Sequence, residues 1–213
     1  ADIRFDGRVA IVTGAGQGIG RMYALEMAAR GAKVVVNDLG AARDGAGADQ
    51  SAADKVVAEI KAAGGEAVAN YDSVATMQGG ANIVQTAVDA YGKLDILVNN
   101  AGILRDKSFL KMTEQEWDLV IAVHLKGAFC VTQPAVKLMK AGNYGRVIFT
   151  SSTSGIYGNF GQCNYGAAKM GLVGLMNALK LEVANYNIKV NTVAPTAYSR
   201  MTSDIFPPNL EQK

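Results

Sequence analysis

The chain has 213 residues, of which 49% are hydrophobic and 19% are charged, and its formal net charge is +2. This length suits a single domain, residues 1–213, with a full hydrophobic core, and the composition excludes an intrinsically disordered protein. So small a charge, without a run of basic residues, argues against a nucleic-acid partner.

The first predicted unit is RVAIVTGAGQGIG, residues 8–20, which reads as a strand at 8–13, a glycine-rich turn and a helix at 18–30. The start of such a helix offers free N–H groups and a positive dipole end to a pyrophosphate. The fingerprint GxGxxG does not fit, because Ile19 stands at its third glycine position. The pattern TGxxxGxG fits at Thr13, Gly14, Gly18 and Gly20. Similar turns also close βα units that bind no ligand.

The second predicted strand, 33–38, ends at Asp38, where a carboxylate would accept the hydroxyl groups of an adenosine ribose. The segment that follows, 40–50, is rich in glycine and longer than a typical βα loop. We expect it to lie over the adenosine end of a nucleotide, and a solvated loop without contacts is the alternative.

Strand and helix patterns then alternate along the rest of the chain. Further strands are predicted at 66–70, 94–98, 145–151 and 188–193, and further helices at 52–63, 80–91, 113–139 and 163–185. This rhythm predicts a parallel sheet with helices on both faces and right-handed crossovers.

Within the last predicted helix, Tyr165 and Lys169 are four residues apart, so one turn places the phenol and the ammonium group on the same face. A lysine in this position favours the phenolate, and we expect it to lower the pKa of Tyr165. The hydroxyl group of Ser152 could hold a substrate oxygen against the phenol. Taken alone, the pair could also be an ordinary surface contact.

Together with LVNNAG at 97–102, these motifs resemble the short-chain dehydrogenase/reductase superfamily across nearly the whole chain. The resemblance implies a Rossmann-type, doubly wound α/β fold. Segments such as ILRDKSF, VHLKGAF and TSSTSGIYGNFGQ look like the (3R)-hydroxyacyl-CoA dehydrogenase unit of peroxisomal multifunctional enzymes of type 2 and its bacterial relatives.

The resemblance implies reversible hydride transfer between a nicotinamide and a secondary alcohol or ketone. Tyr165 would exchange the proton, Lys169 would tune the tyrosine and hold the nicotinamide ribose, and Ser152 would bind the substrate oxygen. His124 stands where the family usually has a catalytic asparagine. A structural histidine is one interpretation, and an added proton path near neutral pH is the other.

The family pattern also assigns nucleotide contacts. Besides Gly14, Gln17, Gly18, Ile19, Gly20 and Asp38, the expected cofactor-binding residues are Asp72, Ser73, Asn99, Ala101, Gly102, Tyr165 and Lys169. Ala101 and Gly102 would let the backbone approach the cofactor, and Asn99 would tie neighbouring strands. Asp72 would face the adenine amino group or act as an N-terminal capping residue for a turn.

Asp38 favours NAD over NADP, because a carboxylate there repels a 2′-phosphate. The favoured function is therefore an NAD-dependent dehydrogenase acting on a small-molecule or acyl-CoA substrate of the 3-hydroxyacyl-CoA type. A 3-oxoacyl-acyl-carrier-protein reductase using NADPH is one alternative. A non-catalytic partner subunit that binds nucleotide is another.

The two long helices at 113–139 and 163–185 suggest a homodimer or homotetramer, because relatives pair these helices across a two-fold axis. The chain stops soon after the sixth strand, so the final strand of the family fold is expected to be missing. From Thr196 onward we expect a lid, in which Arg200 could reach an anionic group.

Only two cysteines occur, Cys130 and Cys163, and their spacing suits neither a disulfide framework nor a metal site. We find no signal peptide, no peroxisomal SKL-type end and no apolar run that we expect to span a bilayer. The sequence therefore predicts a cytoplasmic protein without a metal and without a membrane partner.

Overall fold

The computed structural model describes residues 3–47 and 49–195. Within these residues, six parallel strands form one sheet in the order β3-β2-β1-β4-β5-β6. The strands are β1 (Val9–Thr13), β2 (Lys33–Asn37), β3 (Glu66–Asn70), β4 (Ile96–Asn99), β5 (Gly145–Thr150) and β6 (Ile188–Val193). Their bounds follow the predicted strands closely, because short runs of β-branched and aliphatic residues mark each of them.

The same residues form seven α-helices. They are α1 (Gly18–Ala29), α2 (Ser51–Ala62), α3 (Met77–Tyr91), α4 (Glu114–Ile121), α5 (Gly127–Ala141), α6 (Thr153–Tyr157) and α7 (Cys163–Glu182). The prediction of one regular helix at 113–139 is wrong in its middle, where the π-helical turn Ala122–Lys126 joins α4 to α5. Neither α6 nor the 3-10 turn Phe109–Lys111 was predicted, since three to five residues are too few to display a helical period.

Helices cover both faces of the sheet, as predicted. Alternate residues of each strand point to opposite faces, so Val12 and Ile11 of β1 belong to different cores. On the Val12 side the core includes Ala24 of α1 and Ile60 of α2. On the Ile11 side it includes buried residues of α3, α5 and α7, among them Ile83, Val131 and Leu172. The doubly wound Rossmann-type prediction is confirmed.

At the edge strand β6, only one face of the strand is buried. Ile188 and Val190 are buried, whereas Lys189 and Asn191 between and beyond them are exposed. The predictions of a missing final strand and of a lid from Thr196 onward, including Arg200, fall on residues outside those that the structure describes.

One expectation about membranes needs correction. The continuous helical segment Glu114–Ala141, 28 residues long, is long and apolar enough to cross a membrane by length and composition alone. Half of its most apolar 18-residue stretch is buried inside the protein. Val131, Ala135 and Met139 of α5 belong to the core on one face of the sheet. Packing against the sheet therefore accounts for the apolar character of this segment.

Candidate active site

A cleft of about 670 Å³ lies at the carboxyl ends of the strands. It spans the point where the strand order reverses, between β1 and β4, which is where open α/β sheets bind their ligands. Of the predicted site residues, those that line the cleft are Gly14, Gln17, Gly18, Ile19, Gly20, Asp38, Asp72, Ser73, Ala101, Gly102, His124, Ser152, Tyr165 and Lys169. Asn99 is the exception. Residues predicted from distant motifs thus meet in one cavity.

Two glycines of the glycine-rich turn lie so close to neighbouring backbone atoms that no side chain fits there. A Cβ on Gly20 would lie 2.2 Å from the carbonyl oxygen of Gly14, and a Cβ on Gly14 would lie 2.7 Å from Cα of Ala101. Gln17 precedes α1 but makes no side-chain cap, and the first turn holds no acidic residue. The start of α1 is therefore suited to an anionic group such as a pyrophosphate.

Asp38 follows β2 and anchors two turns with its carboxylate. Oδ2 accepts a hydrogen bond of 2.7 Å from the backbone N–H of Gly16, and Oδ1 accepts one of 2.7 Å from Gly40. Each carboxylate oxygen has a second lone pair, so Asp38 can still accept the hydroxyl groups of a ribose. The geometry fits the predicted nucleotide contact.

The glycine-rich loop after Asp38 is held against the next crossover of the sheet. The N–H of Leu104 donates to the carbonyl oxygen of Arg43 at 2.9 Å, and Nε of Arg105 donates to that of Asp44 at 2.5 Å. Ala41 and Gly45 of this loop line the cleft. The loop is therefore held at the cleft and is not a solvated loop without contacts, and its position over a bound adenosine stays a prediction.

Amide side chains fix the carboxylate of Asp72. Asn70 donates to Oδ2 at 2.8 Å and Asn82 donates to Oδ1 at 2.9 Å. The alternative in which Asp72 caps a turn is wrong, because in the turn that follows, it is Oγ of Ser73 that accepts from the N–H of Ala75. Asp72 lines the cleft, as the predicted adenine contact requires, and that contact stays a prediction.

The predicted cofactor-binding residue Asn99 does not line the cleft, whereas its neighbour Asn100 does. The side chain of Asn99 donates to Oγ1 of Thr132 on α5 at 2.9 Å, so it ties a strand to a helix and not to another strand. Asn100 lines the cleft and donates to the carbonyl oxygens of Thr13 and Gly14 at 3.0 and 3.1 Å. Asn100 thereby links the β4 crossover to the glycine-rich turn, which the sequence reasoning missed.

Ser152, Tyr165 and Lys169 come together from two elements. Ser152 precedes α6 and accepts from the N–H of Ser154, while Tyr165 and Lys169 lie on successive turns of α7. Nζ of Lys169 lies 5.4 Å from the centre of the Tyr165 ring and donates to the carbonyl oxygen of Thr150 at 2.6 Å. This places a phenol, a hydroxyl group and an amine around one part of the cleft.

The electrostatics of this pair differ from the sequence expectation. Burial lowers the pKa of Lys169 to about 7, because the charged amine is removed from water. The pKa of Tyr165 is raised by burial, although its hydrogen bond with Ser152 lowers it and Asp106 raises it further. The expectation that Lys169 lowers the pKa of Tyr165 is not met, since burial of the phenol dominates.

His124 lies in the π-helical turn, with its ring edge-to-face against Tyr165 at a centroid distance of 5.1 Å. Its Nε2 is 2.8 Å from the carbonyl oxygen of Ile103, and only 2% of the residue is exposed. Burial, and secondarily the charge of Lys169, lower the pKa of His124 to about 3. The imidazole is thus neutral near pH 7, which supports the structural interpretation over a titrating proton path.

Comparison with known proteins adds independent information. The family model of short chain dehydrogenases matches residues 8–208. Peroxisomal multifunctional enzyme type 2 of Drosophila melanogaster is 62% identical over 205 residues, which are 96% of this chain and 34% of that protein. A 3-oxoacyl-[acyl-carrier-protein] reductase of Synechocystis is 44% identical over 188 residues, or 88% of this chain and 73% of the reductase.

Among solved structures, a short chain dehydrogenase from Mycobacterium avium superposes with a TM-score of 0.84 at 49% identity. The alignment covers 95% of this chain and 72% of that one. This chain spans about a third of the multifunctional enzyme that it matches, so similarity to that enzyme concerns one part of it.

Proposed function

This chain belongs to the short chain dehydrogenase family, and on that premise we propose that it is an NAD-dependent dehydrogenase of 3-hydroxyacyl-CoA type substrates. The observation that carries this proposal is the meeting of Ser152, Tyr165 and Lys169 with Asp38 along one cleft. Ser152, Tyr165 and Lys169 suit proton exchange with an alcohol. Asp38 suits a ribose without a 2′-phosphate.

A bound NAD would supply the acceptor for the hydride that leaves the carbinol carbon. The protein's own part is to hold the alcohol oxygen between Ser152 and Tyr165 and to take its proton onto the phenol oxygen. In the reverse direction the phenol returns that proton to the ketone oxygen. Because burial raises the pKa of Tyr165, the protonated form persists well above neutral pH. Alcohol oxidation should therefore gain from rising pH, whereas ketone reduction should not.

The cleft wall next to the catalytic residues supports an acyl substrate. Ile103, Leu104 and Leu119 line it, and the last residue of α6, the largely exposed Tyr157, also lines it. An apolar wall that opens to solvent suits an acyl chain whose carrier stays outside. The similarity of the segments ILRDKSF and TSSTSGIYGNFGQ to hydroxyacyl-CoA dehydrogenase units points to the same substrate class.

We further propose that the protein forms a homodimer or homotetramer through α7. One stripe of this helix is exposed and carries apolar or small residues at Ala167, Met170, Gly174, Ala178 and Leu181. Met170 is 49% exposed and Leu181 is 72% exposed, and a Cβ on Gly174 would meet nothing within 4 Å. Such a surface suits close packing against the same helix of a second copy.

The test of the proposed activity compares wild type with Tyr165→Phe. Removing the phenol oxygen should reduce turnover of 3-hydroxyacyl-CoA by roughly 100-fold or more, the usual contribution of an acid–base group. NAD affinity should stay nearly unchanged, because the contacts expected from the glycine-rich turn, Asp38 and Lys169 remain in place. Assays with NAD and NADP on acyl-CoA thioesters, acyl-carrier-protein thioesters and free alcohols distinguish the favoured activity from an NADPH-dependent reductase. Residual activity of the variant above about a tenth of wild type would contradict the role of Tyr165.

A further inference from the structure

The residue before the catalytic tyrosine makes more structural contacts than any assigned role explains. Asn164 is fully buried, with 0% exposure. Its Nδ2 donates to the carbonyl oxygens of Arg105 at 3.0 Å and Glu116 at 3.1 Å, and its Oδ1 accepts from the N–H of Tyr165 at 2.7 Å. Both amide hydrogens and one lone pair are therefore used, and each bond reaches a different segment of the chain.

The hydrogen bond from Tyr165 to Asn164 satisfies a backbone N–H at the start of α7. Tyr165 is the third residue of α7, so its N–H is among those that lack a partner within the helix. Gln162, at the N-cap, makes no capping bond. Its Oε1 accepts from Nδ2 of Asn159 at 3.1 Å, and its Nε2 donates to Asp106 at 2.9 Å. Asn164 thus satisfies the backbone of Tyr165 in place of a cap.

The other two bonds tie this end of α7 to both sides of the cleft. Glu116 belongs to α4, and Arg105 belongs to the crossover after β4. The side chain of Arg105 in turn donates to the carbonyl oxygen of Asp44, in the loop after Asp38. A parallel bond joins the N–H of Lys107 to the carbonyl oxygen of Gly161 at 2.8 Å. The backbone that carries the phenol is therefore fixed relative to both the nucleotide-side loop and the apolar wall.

We propose that Asn164 is a positioning residue of the reaction, which holds the backbone of Tyr165 so that its phenol stays aligned with Ser152 and Lys169. This inference rests on the proposed function only in assigning proton exchange to Tyr165. Asn164 does not line the cleft and acts through Tyr165 alone. Displacement of a reacting group by about 1 Å can cost about 100-fold in rate, so a loosened tyrosine should lower kcat and spare cofactor affinity.

The experiment uses Asn164→Asp, which has nearly the same shape and keeps an acceptor but loses both donors. Asn185→Asp, at an exposed position after α7, is the matched control for the added charge. In Asn164→Asp, kcat should fall by about tenfold or more, with the Kd for NAD within about twofold of wild type. Should this variant fail to fold, as judged by circular dichroism and its Tm, Asn164→Ser is measured in the same way.

A second readout does not depend on turnover. Tyrosine ring carbons labelled with carbon-13 report the titration of Tyr165 by NMR, with the signal assigned from Tyr165→Phe. Burial raises the pKa of Tyr165, and its hydrogen bond with Ser152 partly offsets that rise. A displaced phenol should lose this bond and titrate at higher pH than in wild type, and the comparison uses Asn164→Ser because this variant adds no charge beside the phenol. An unchanged titration, or a folded variant with kcat within about twofold of wild type, would overturn the inference. If wild type oxidises no hydroxyacyl-CoA while the titration shifts, the proposed substrate fails and the positioning role stands.

Discussion

The carboxylate of Asp38 has a structural role within the protein in addition to its proposed contact with a nucleotide. It accepts the N–H groups of Gly16 and Gly40 and so joins the glycine-rich turn to the loop after β2. A substitution at this position therefore changes two properties together. It removes the charge that repels a 2′-phosphate, and it releases the backbone that shapes the adenosine end of the cleft.

Asp38→Ala should weaken NAD binding by roughly tenfold or more, since hydrogen bonds to a charged group contribute about 1.5–3 kcal/mol. The ratio of NADP to NAD affinity should rise, because the repulsion is gone, but NADP should remain a weak ligand. Titration of both nucleotides, with Asp89→Ala on the exposed side of α3 as control, measures this. A wild-type protein that already prefers NADP would refute the role of Asp38.

The amine of Lys169 should make stability depend on pH. Its pKa is lowered from 10.5 to about 7 in the folded protein, so between these values the unfolded chain binds a proton that the folded chain lacks. Stability should then rise as pH increases from about 7 towards 10.5, and this gain should be absent in Lys169→Met.

Chemical denaturation of the cofactor-free proteins at several pH values measures the difference. The free energy of unfolding of wild type minus that of Lys169→Met should increase with pH across this window. A difference that stays constant, or that decreases, would show that the folded protein keeps the amine charged.

Sequence spacing predicted the positions of the catalytic residues better than their electrostatics. Spacing within one helix located Tyr165 and Lys169, because four residues make about one turn. Spacing cannot reveal whether a buried phenol is stabilised by a nearby amine or destabilised by loss of water, and burial dominated. Nor can it choose between Asn99 and Asn100, since neighbouring residues point in opposite directions and only the register with the glycine-rich turn decides.

At the scale of elements, the turn between β1 and α1 depends on the absence of side chains. Gly20→Ala would bring a methyl group within 2.2 Å of the carbonyl oxygen of Gly14 and within 2.4 Å of the side-chain amide of Asn100. Backbone atoms cannot move aside cheaply, so we expect a lower Tm and a loss of NAD binding.

Gly142→Ala is the matched control for this substitution. Gly142 ends α5, and the nearest atoms to an added Cβ are 3.9 Å away. Thermal denaturation and NAD titration should leave this control close to wild type. Should Gly20→Ala bind NAD as tightly as the control, the cleft would not be shaped by that turn.

Strands were predicted more accurately than helices, and the reason is physical. Buried parallel strands are short apolar runs whose limits are marked by turn residues, as KVVVND shows for β2. Apolar residues recur at helical spacing from α4 through the π-helical turn into α5, so the sequence pattern does not reveal the extra residue of that turn. That turn carries His124 to the cleft, and its functional setting became visible only in three dimensions.

For the whole molecule, the exposed stripe of α7 leads to a prediction about assembly. Light scattering at micromolar concentration should give the mass of a dimer or tetramer. Met170→Glu should reduce that mass, because a charge placed in an apolar contact loses its hydration. Met22→Glu is the control, since Met22 is 57% exposed on α1, away from α7. A monomeric wild type, or equal masses for both variants, would contradict the α7 interface.

The central claim is that this protein moves a hydride from the C3 carbon of a 3-hydroxyacyl-CoA to NAD. The most direct measurement supplies both enantiomers of a 3-hydroxyacyl-CoA that carry deuterium at C3, and analyses the nicotinamide product by mass spectrometry. The account predicts NADH with one deuterium from one enantiomer, at a rate that falls by roughly 100-fold or more in Tyr165→Phe. If neither enantiomer yields deuterated NADH, under conditions in which the protein binds NAD, the result would contradict it.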